Sequence, residues 1–400
     1  MKRILSLFLA LCLLLPVLAF AEEEELDIEE IIEEEDLDED EPDTVSYSQD
    51  EVLPDDQLQE LAAGLESKDY TPTEIDADNL YINENLPDNV INILLMGVDT
   101  RKAELDEIDI KLADVQMILS YNLDTGSIKL SSILRDTLVT NPYTGKNLPI
   151  NESIQSFDSK KIFHDKPQRS VAVVNYNFEM NIRYYVFINF RGVVAIIDAL
   201  GGVDIDLTKG EADNINYYLR KNAKKISRTY DTPEAKAARV KLEVEDGVQH
   251  LDGLQALMYA RLRQNKTNKK YNLGDDWQRT YRTRHLLDLL LQKALKKDAL
   301  ELIDLLGTSI EYVNSNMNAD TMLDLMVRVI RSGITEKLGS SDSLIEQFRI
   351  PMEDPETGKK TWGYDPDSGK LFMSRSNGNF QKNIEGLHEF IYGKYYPANP

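Results

Sequence analysis

Two aspartates and a group of arginines are the side chains of this sequence best suited to chemistry. Asp99 stands in GVDTR directly after the apolar run Asn92–Val98, and Asp114 in LADVQM directly before the run Val115–Asn122. If those runs are neighbouring strands, both carboxylates reach one end of a sheet. Paired carboxylates suit a hard, oxygen-preferring cation such as Mg2+, which keeps waters and binds phosphate oxygens. Taken singly, each aspartate also reads as a turn or cap residue. Arg135 and Asp136 follow a third apolar run in ILRDT, where a local ion pair is the simple reading. Arg261 and Arg263 close a helical pattern, and Asp276, Arg279 and Arg282 recur every three residues, which places them on one helix face. Such a face is either a ladder of ion pairs or an anion clamp, because guanidinium forks bind phosphate bidentately and stay charged. Periodicity leaves both open.

Other chemistries find little support. There is no GxxxxGK[ST] phosphate loop, no GxGxxG, no HExxH and no GxSxG elbow. The four histidines, at 164, 250, 285 and 388, lack metal-ligand spacing. The only cysteine, Cys12, lies in the N-terminal apolar segment, so the rest of the chain has no disulfide, thiol nucleophile or cysteine–zinc site.

The elements that must position these residues follow from pattern. Asn92–Val98, Val115–Asn122 and Ser127–Ile133 read as strands, the last two joined by a tight turn at Asp124-Thr125-Gly126. Tyr185–Asn189 is a strand, Arg191–Leu200 has helical spacing, Gly201-Gly202 stops it, and Val203–Leu207 resumes strand character. That strand–helix–strand unit implies a crossover in an α/β sheet. Asp252–Leu262 and Thr280–Leu295 read as helices, the second with an apolar face of Leu286, Leu287, Leu290 and Leu291. Helices continue past Ala299, turns fall near Asp354 and Asp365, and a last helix spans about Ile384–Tyr392.

The ends differ from this body. Lys2 and Arg3, the apolar run Ile4–Leu18 and Ala19-Phe20-Ala21 form a secretory leader over residues 1–21, or an anchor if it is not cleaved. Residues 22–60 hold 21 Asp or Glu and no Lys or Arg, so with the two leader cations they account for all but −6 of the net charge of −25. A block of like charge repels itself and buries no core, and 22–84 is expected to be a disordered acidic linker ahead of one domain over 85–395. Nothing supplies the broad basic face that a nucleic-acid partner requires.

Read in order, LLMGVDTR (94–101), ADVQMILSYN (113–122), SSILRDTLV (131–139), INESI (150–154), YYVFINFRGVVAIIDALGGVDIDL (184–207), GVQHLDGLQALMYARLR (247–263), GDDWQRTYR (274–282) and YVNSNMNADTMLDLM (312–326) resemble the LytR-CpsA-Psr family of cell-envelope proteins. The resemblance implies a three-layer α/β/α fold with a central mixed sheet and an apolar lipid-binding groove between sheet and helices. It implies an extracytoplasmic phosphotransferase that moves a glycopolymer, such as teichoic acid or capsule, from a polyprenyl-pyrophosphate carrier to a peptidoglycan hydroxyl through a phosphodiester. A membrane surface is then a further partner. Residue by residue, it implies Mg2+ (Mn2+ as an alternative) at Asp99 and Asp114. It places Arg101, Arg135, Arg261, Arg263, Arg279 and Arg282 around the pyrophosphate with Asp136 and Asp276 beside them, and Arg135, Asp136, Arg261 and Arg279 at the chemistry. Asp198 and Asp204 read as structural. Two other readings stay open: a polyprenyl-pyrophosphate pyrophosphatase, and a non-catalytic lipid- or glycan-binding regulator of envelope assembly. The sequence departs from the family pattern at Thr283, where glutamine is usual, at Leu134, where proline is usual, and in the long basic stretch QNKTNKKYNLG after Arg263. These departures bear on the acceptor side more than on the pyrophosphate side.

Overall fold

The computed structural model describes residues 77–98, 112–155, 166–221, 241–262, 313–317 and 345–398, together with 282, 285–286, 288–290, 292–294 and 321. The leader, the acidic stretch to residue 76 and nearly all of the expected helices past Ala299 lie outside these residues.

In chain order the strands are β1 (Val90–Val98), β2 (Val115–Asn122), β3 (Ile128–Ile133), the short pair β4 (Leu138–Thr140) and β5 (Asn147–Pro149), and β6 (Tyr184–Asn189). They continue with β7 (Val203–Leu207), β8 (Gly247–Leu251), β9 (Val313–Ser315), β10 (Ile345–Ile350), β11 (Gly363–Tyr364) and β12 (Leu371–Phe372). The helices are α1 (Lys166–Phe178), α2 (Phe190–Ala199), α3 (Lys209–Lys221), α4 (Gly253–Ala260) and α5 (Asn379–Tyr392).

Six strands form one mixed sheet in the order β10-β3-β2-β1-β6-β9. VINILLMGV of β1 is buried along nearly its whole length, so both of its faces need a covering layer. On one face Leu94, Met96, Ile118 and Ile133 meet Val171, Val174 and Phe178 of α1 and Phe380, Ile384 and Leu387 of α5. On the other, Ile93, Leu95, Leu119 and Leu130 are equally buried, and α2 packs against β6. The α/β architecture with a central mixed sheet is thus as expected. β1 pairs antiparallel with β2 and parallel with β6, β3 antiparallel with β2, and β10 parallel with β3. Consequently β1, β3, β6 and β10 all end at one edge of the sheet, where β2 begins.

Two expectations are corrected. Val203–Leu207 does not return to the main sheet: β7 pairs antiparallel with β8 in a separate two-stranded ribbon. Its alternation leaves Asp204 and Asp206 exposed, and two carboxylates disfavour a strand buried on both faces. The crossover into β6 instead carries α1, which the sequence reading passed over. Residues 77–84, assigned to the linker, are folded: Leu80 is fully buried, and Asn83 Nδ2 donates to the carbonyls of Glu179 and Tyr396 at 3.0 Å. Among the described residues no helix is long and apolar enough to cross a membrane.

The α1–α5 contact includes a fully buried imidazole. His388 Nε2 lies 3.0 Å from the Phe178 carbonyl, and the Tyr396 N–H donates to Nδ1 at 3.3 Å, which together select the neutral tautomer with its proton on Nε2. Burial, the largest influence, holds this ring below its ordinary value of 6.5. The unfolded chain then binds the proton more readily than the folded one, so the stabilisation is complete above the unfolded pKa and is lost as pH falls toward the folded one. Tm should drop as pH falls below about 6.5, and the slope should flatten in His388→Gln; equal slopes by calorimetry would contradict this.

Candidate functional site

Ligands of open α/β sheets bind outside the carboxyl ends of strands, and the candidate residues of β1–β3 gather there. Gly97 pairs with Val115 and Gln116 with Ile133. Asp114 immediately precedes β2, Val98 ends β1 opposite Asn189 of β6, and Arg135 lies in the turn just beyond β3, so all stand at this edge of the sheet. Asp99, the residue after Val98, lies outside the described residues, as do Arg101, Arg263, Asp276, Arg279, Thr283 and the QNKTNKKYNLG stretch.

Asp114 is 6% exposed, unusual for a carboxylate that opens a strand. The 3-10 turn Ile150–Ile154 ties it to the Arg135 loop. Within that turn the Asn151 carbonyl accepts from Ala113 N–H at 2.8 Å, and the Asn151 N–H donates to the Arg135 carbonyl at 3.2 Å. The Ile150 N–H donates to the Thr137 carbonyl at 2.9 Å. The Asn151 side chain donates from Nδ2 to Asp114 Oδ1 at 3.2 Å, while its buried Oδ1 has no hydrogen-bond partner among the described residues.

Arg135 and Asp136 form the expected local contact, Nε to Oδ2 at 3.7 Å, with both side chains about two-thirds or more buried. The second carboxylate oxygen is taken by a residue absent from the sequence reading: Lys370 Nζ donates to Asp136 Oδ1. Lys370 arrives on a tight loop in which Asp365 Oδ1 accepts from Ser368 N–H at 2.8 Å and Gly369 takes φ 69°. Leu371 N–H donates to the Asp136 carbonyl at 3.0 Å, and Leu134 N–H to the Ile350 carbonyl at 2.9 Å, so the C-terminal segment grips the ILRDT loop on both sides.

A second cluster lies on the helical layer. Asp252 caps α4 with a reciprocal capping box, Asp252 Oδ1 accepting from Gln255 N–H and Gln255 Oε1 from Asp252 N–H, each at 2.8 Å. Asp198 Oδ1 accepts from Gly253 N–H at 2.6 Å, and a Cβ at Gly253 would sit 2.3 Å from the Val194 carbonyl oxygen. Asp204 pairs with His250 Nδ1 at 2.8 Å. Asp198 thus ties α2 to the start of α4, and Asp204 links β7 to β8. Arg261 is the C-cap of α4, where a cation complements the helix dipole. Arg282 is 3% exposed; its Nε donates to Glu211 Oε1 at 2.6 Å and its Nη1 to the Leu262 carbonyl at 2.8 Å. These bonds make it a strut under the end of α4, a role that helical periodicity did not disclose.

The donors described at the strand edge fit a hard cation: a buried carboxylate and an amide oxygen that has no hydrogen-bond partner among the described residues. Among the described residues no group of three His, Cys, Asp or Glu converges. The structure thus brings Asp114, Arg135 and Asp136 together, joins Arg261 to Arg282 through Leu262, and adds Asn151 and Lys370. INESI carries part of the resemblance but marks no role for Asn151, and no local pattern links Lys370 to an aspartate 234 positions away.

The six-stranded mixed sheet with helices on its faces makes this an α/β protein with its candidate residues at the carboxyl edge. The LytR_cpsA_psr family model matches residues 60–374, and the chain belongs to that family. It is 27% identical over 299 residues to biofilm regulatory protein A of Streptococcus mutans, covering 70% of this chain and 64% of that protein. It is 25% identical over 260 residues to the polyisoprenyl-teichoic acid–peptidoglycan teichoic acid transferase TagU of Bacillus mycoides, covering 64% of this chain and 69% of that one. The chain thus spans just under two thirds of the first relative and slightly more of the second. Protein gbs0355 of Streptococcus agalactiae shares the fold, with a TM-score of 0.52 at 18% identity over 82% of this chain and 94% of that one.

Proposed function

We propose that this chain is a transferase that moves a glycopolymer from a polyprenyl-pyrophosphate carrier to a peptidoglycan hydroxyl at the outer face of the cytoplasmic membrane. The observation that carries the reading is the buried Asp114 at the sheet's carboxyl edge, joined through Asn151 to the Arg135 backbone, in a member of this family. The name of the TagU relative supports the reaction type, and the leader with its acidic linker supports the location.

Arg135, with Arg101, Arg261, Arg263 and Arg279, would hold the pyrophosphate, Arg282 bracing the arm that carries Arg261 and Arg263. Asp99 and Asp114 would hold Mg2+, which when bound draws charge from the phosphate oxygens. The acceptor oxygen attacks the sugar-linked phosphorus, and the anhydride bond to polyprenyl phosphate breaks. The hydroxyl proton passes to a carboxylate, and polyprenyl phosphate departs. Preorganised charge contributes most of such a rate enhancement. The lipid tail would lie in an apolar groove between sheet and helices.

Lys370 should matter here although it is remote in sequence. Lys370→Met is expected to lower the transfer rate on the order of tenfold or more, as loss of a positioning partner does. Loss of its ion pair, about one-third exposed, should cost little stability. Full kcat in a stably folded variant would contradict this.

Release of polyprenyl phosphate, measured with and without peptidoglycan fragments, tests the reading. Release that depends on the acceptor supports transfer. Equal release in water alone indicates a pyrophosphatase, and lipid bound without turnover indicates a regulator, a role the name of the S. mutans relative brings to mind.

A further inference from the structure

We propose that Asn151 is a positioning residue of the divalent-cation site: its amide nitrogen fixes Asp114 and its amide oxygen accepts a hydrogen bond from water held by the cation. The inference rests on reading Asp114 as a cation ligand and adds to it a residue and a role.

Other buried asparagines of this fold use both ends of the amide. Asn175 donates from Nδ2 to the Leu80 and Ile182 carbonyls at 2.8 Å and accepts from Ile182 N–H at 3.0 Å. Asn177 donates to the Thr140 and Val173 carbonyls and accepts from Thr140 N–H at 2.9 Å. Asn216 clasps Leu242 from both ends of its amide, and Asn383 accepts from Met352 N–H while donating to Thr361 and Asn379. Each of these amides is satisfied at its nitrogen and its oxygen.

Asn151 departs from that pattern. It is 7% exposed, its Nδ2 reaches Asp114 Oδ1, and its Oδ1 meets no donor among the described residues. Turning the amide over would set its oxygen against the carboxylate, so the polarity is fixed by chemistry. A folded protein seldom leaves a buried acceptor dry.

The neighbours share this deficit. Gln116 donates from Nε2 to the Ile150 carbonyl and Ser153 Oγ at 2.8 Å, and its Oε1 is also buried without a partner. Thr137, whose carbonyl accepts from Ile150 N–H, has an unpartnered buried hydroxyl. Three orphaned oxygens therefore surround one 3-10 turn whose backbone also fixes Ala113 and Arg135. Mg2+ keeps several waters when few carboxylates bind it, and those waters are strong donors needing acceptors. Asn151 supplies one beside the carboxylate.

Mn2+ titrated into the full chain, followed by its spin-resonance signal, tests this, together with Tm recorded with and without Mg2+. Asn151→Leu should weaken Mn2+ binding by about tenfold or more, as loss of such partners does. Asn151→Asp keeps an oxygen but sets two carboxylates side by side, so it should lower Tm without metal and show a larger rise with Mg2+ than the wild type. If both variants lose the same Tm with and without Mg2+ and bind Mn2+ normally, Asn151 only packs and the inference is overturned, with Asp114 still a ligand. A wild-type chain that takes up no Mn2+ overturns the cation site and this inference together. Should Asn151→Leu fail to fold, an unchanged Mg2+ response in Asn151→Asp overturns the proposal by itself.

Discussion

Asp114→Asn should abolish glycan transfer while leaving the chain folded. A loss on the order of a thousandfold is expected when a group that organises transition-state charge is removed. The substitution separates the two readings the sequence left open. As a cap or turn residue Asp114 is well replaced by asparagine, which accepts the same backbone hydrogen bonds. As a ligand for a hard cation it is not, because the amide brings no charge. The structure sharpens the contrast, since the carboxylate is buried, receives Asn151 Nδ2, and lies at the sheet edge where β1 and β3 end. Transfer assayed beside a thermal melt decides it: near-normal activity in a folded variant would return Asp114 to a structural role.

Arg282→Met should act on stability first. Its guanidinium and the Glu211 carboxylate are almost fully buried, with side-chain exposures of 4% and 12%. Removing one partner of a buried pair leaves a charge without compensation and costs about 3–5 kcal/mol, a large part of the ~5–15 kcal/mol that holds a domain together. Glu211 is also the third residue of α3, and its other oxygen accepts from Thr208 N–H at 3.0 Å and Thr208 Oγ1 at 2.8 Å, so the damage should spread to that helix start. Pairing Arg282→Met with Glu211→Gln keeps the cap and removes the stranded charge, and should recover much of the lost stability in urea unfolding. An Arg282→Met chain as stable as the wild type would show instead that this arginine serves an anion alone.

The strands were legible because their signals are local. β2 and β3 are apolar runs joined by NLDTG, whose Asn122 Oδ1 accepts from Asp124 and Thr125 N–H at 2.9 and 3.0 Å while Gly126 takes φ 68°. That hairpin fixes the register from Tyr121↔Ile128 to Gln116↔Ile133 and so brings the start of β2 and the end of β3 to one edge. α1 was hidden for the opposite reason: KPQRSVAVVNYNF is buried on nearly every side and rich in β-branched valine, so no polar stripe marks a helical period. The site was legible only in part. Spacing placed Asp276, Arg279 and Arg282 on one face, but what a face touches depends on Glu211 and Leu262, distant in the chain. Lys370 and Asn151 escaped because their roles arise from tertiary contacts with Asp136 and Asp114.

The central claim is attack at the sugar-linked phosphorus with polyprenyl phosphate as the leaving group. Mass spectrometry of the product formed from a polyprenyl-pyrophosphate-linked glycan, Mg2+ and a peptidoglycan fragment measures it directly. The account predicts glycan joined to the fragment through a single phosphate, with one polyprenyl phosphate released per linkage. Glycan joined without phosphate, alongside free polyprenyl pyrophosphate, would contradict it.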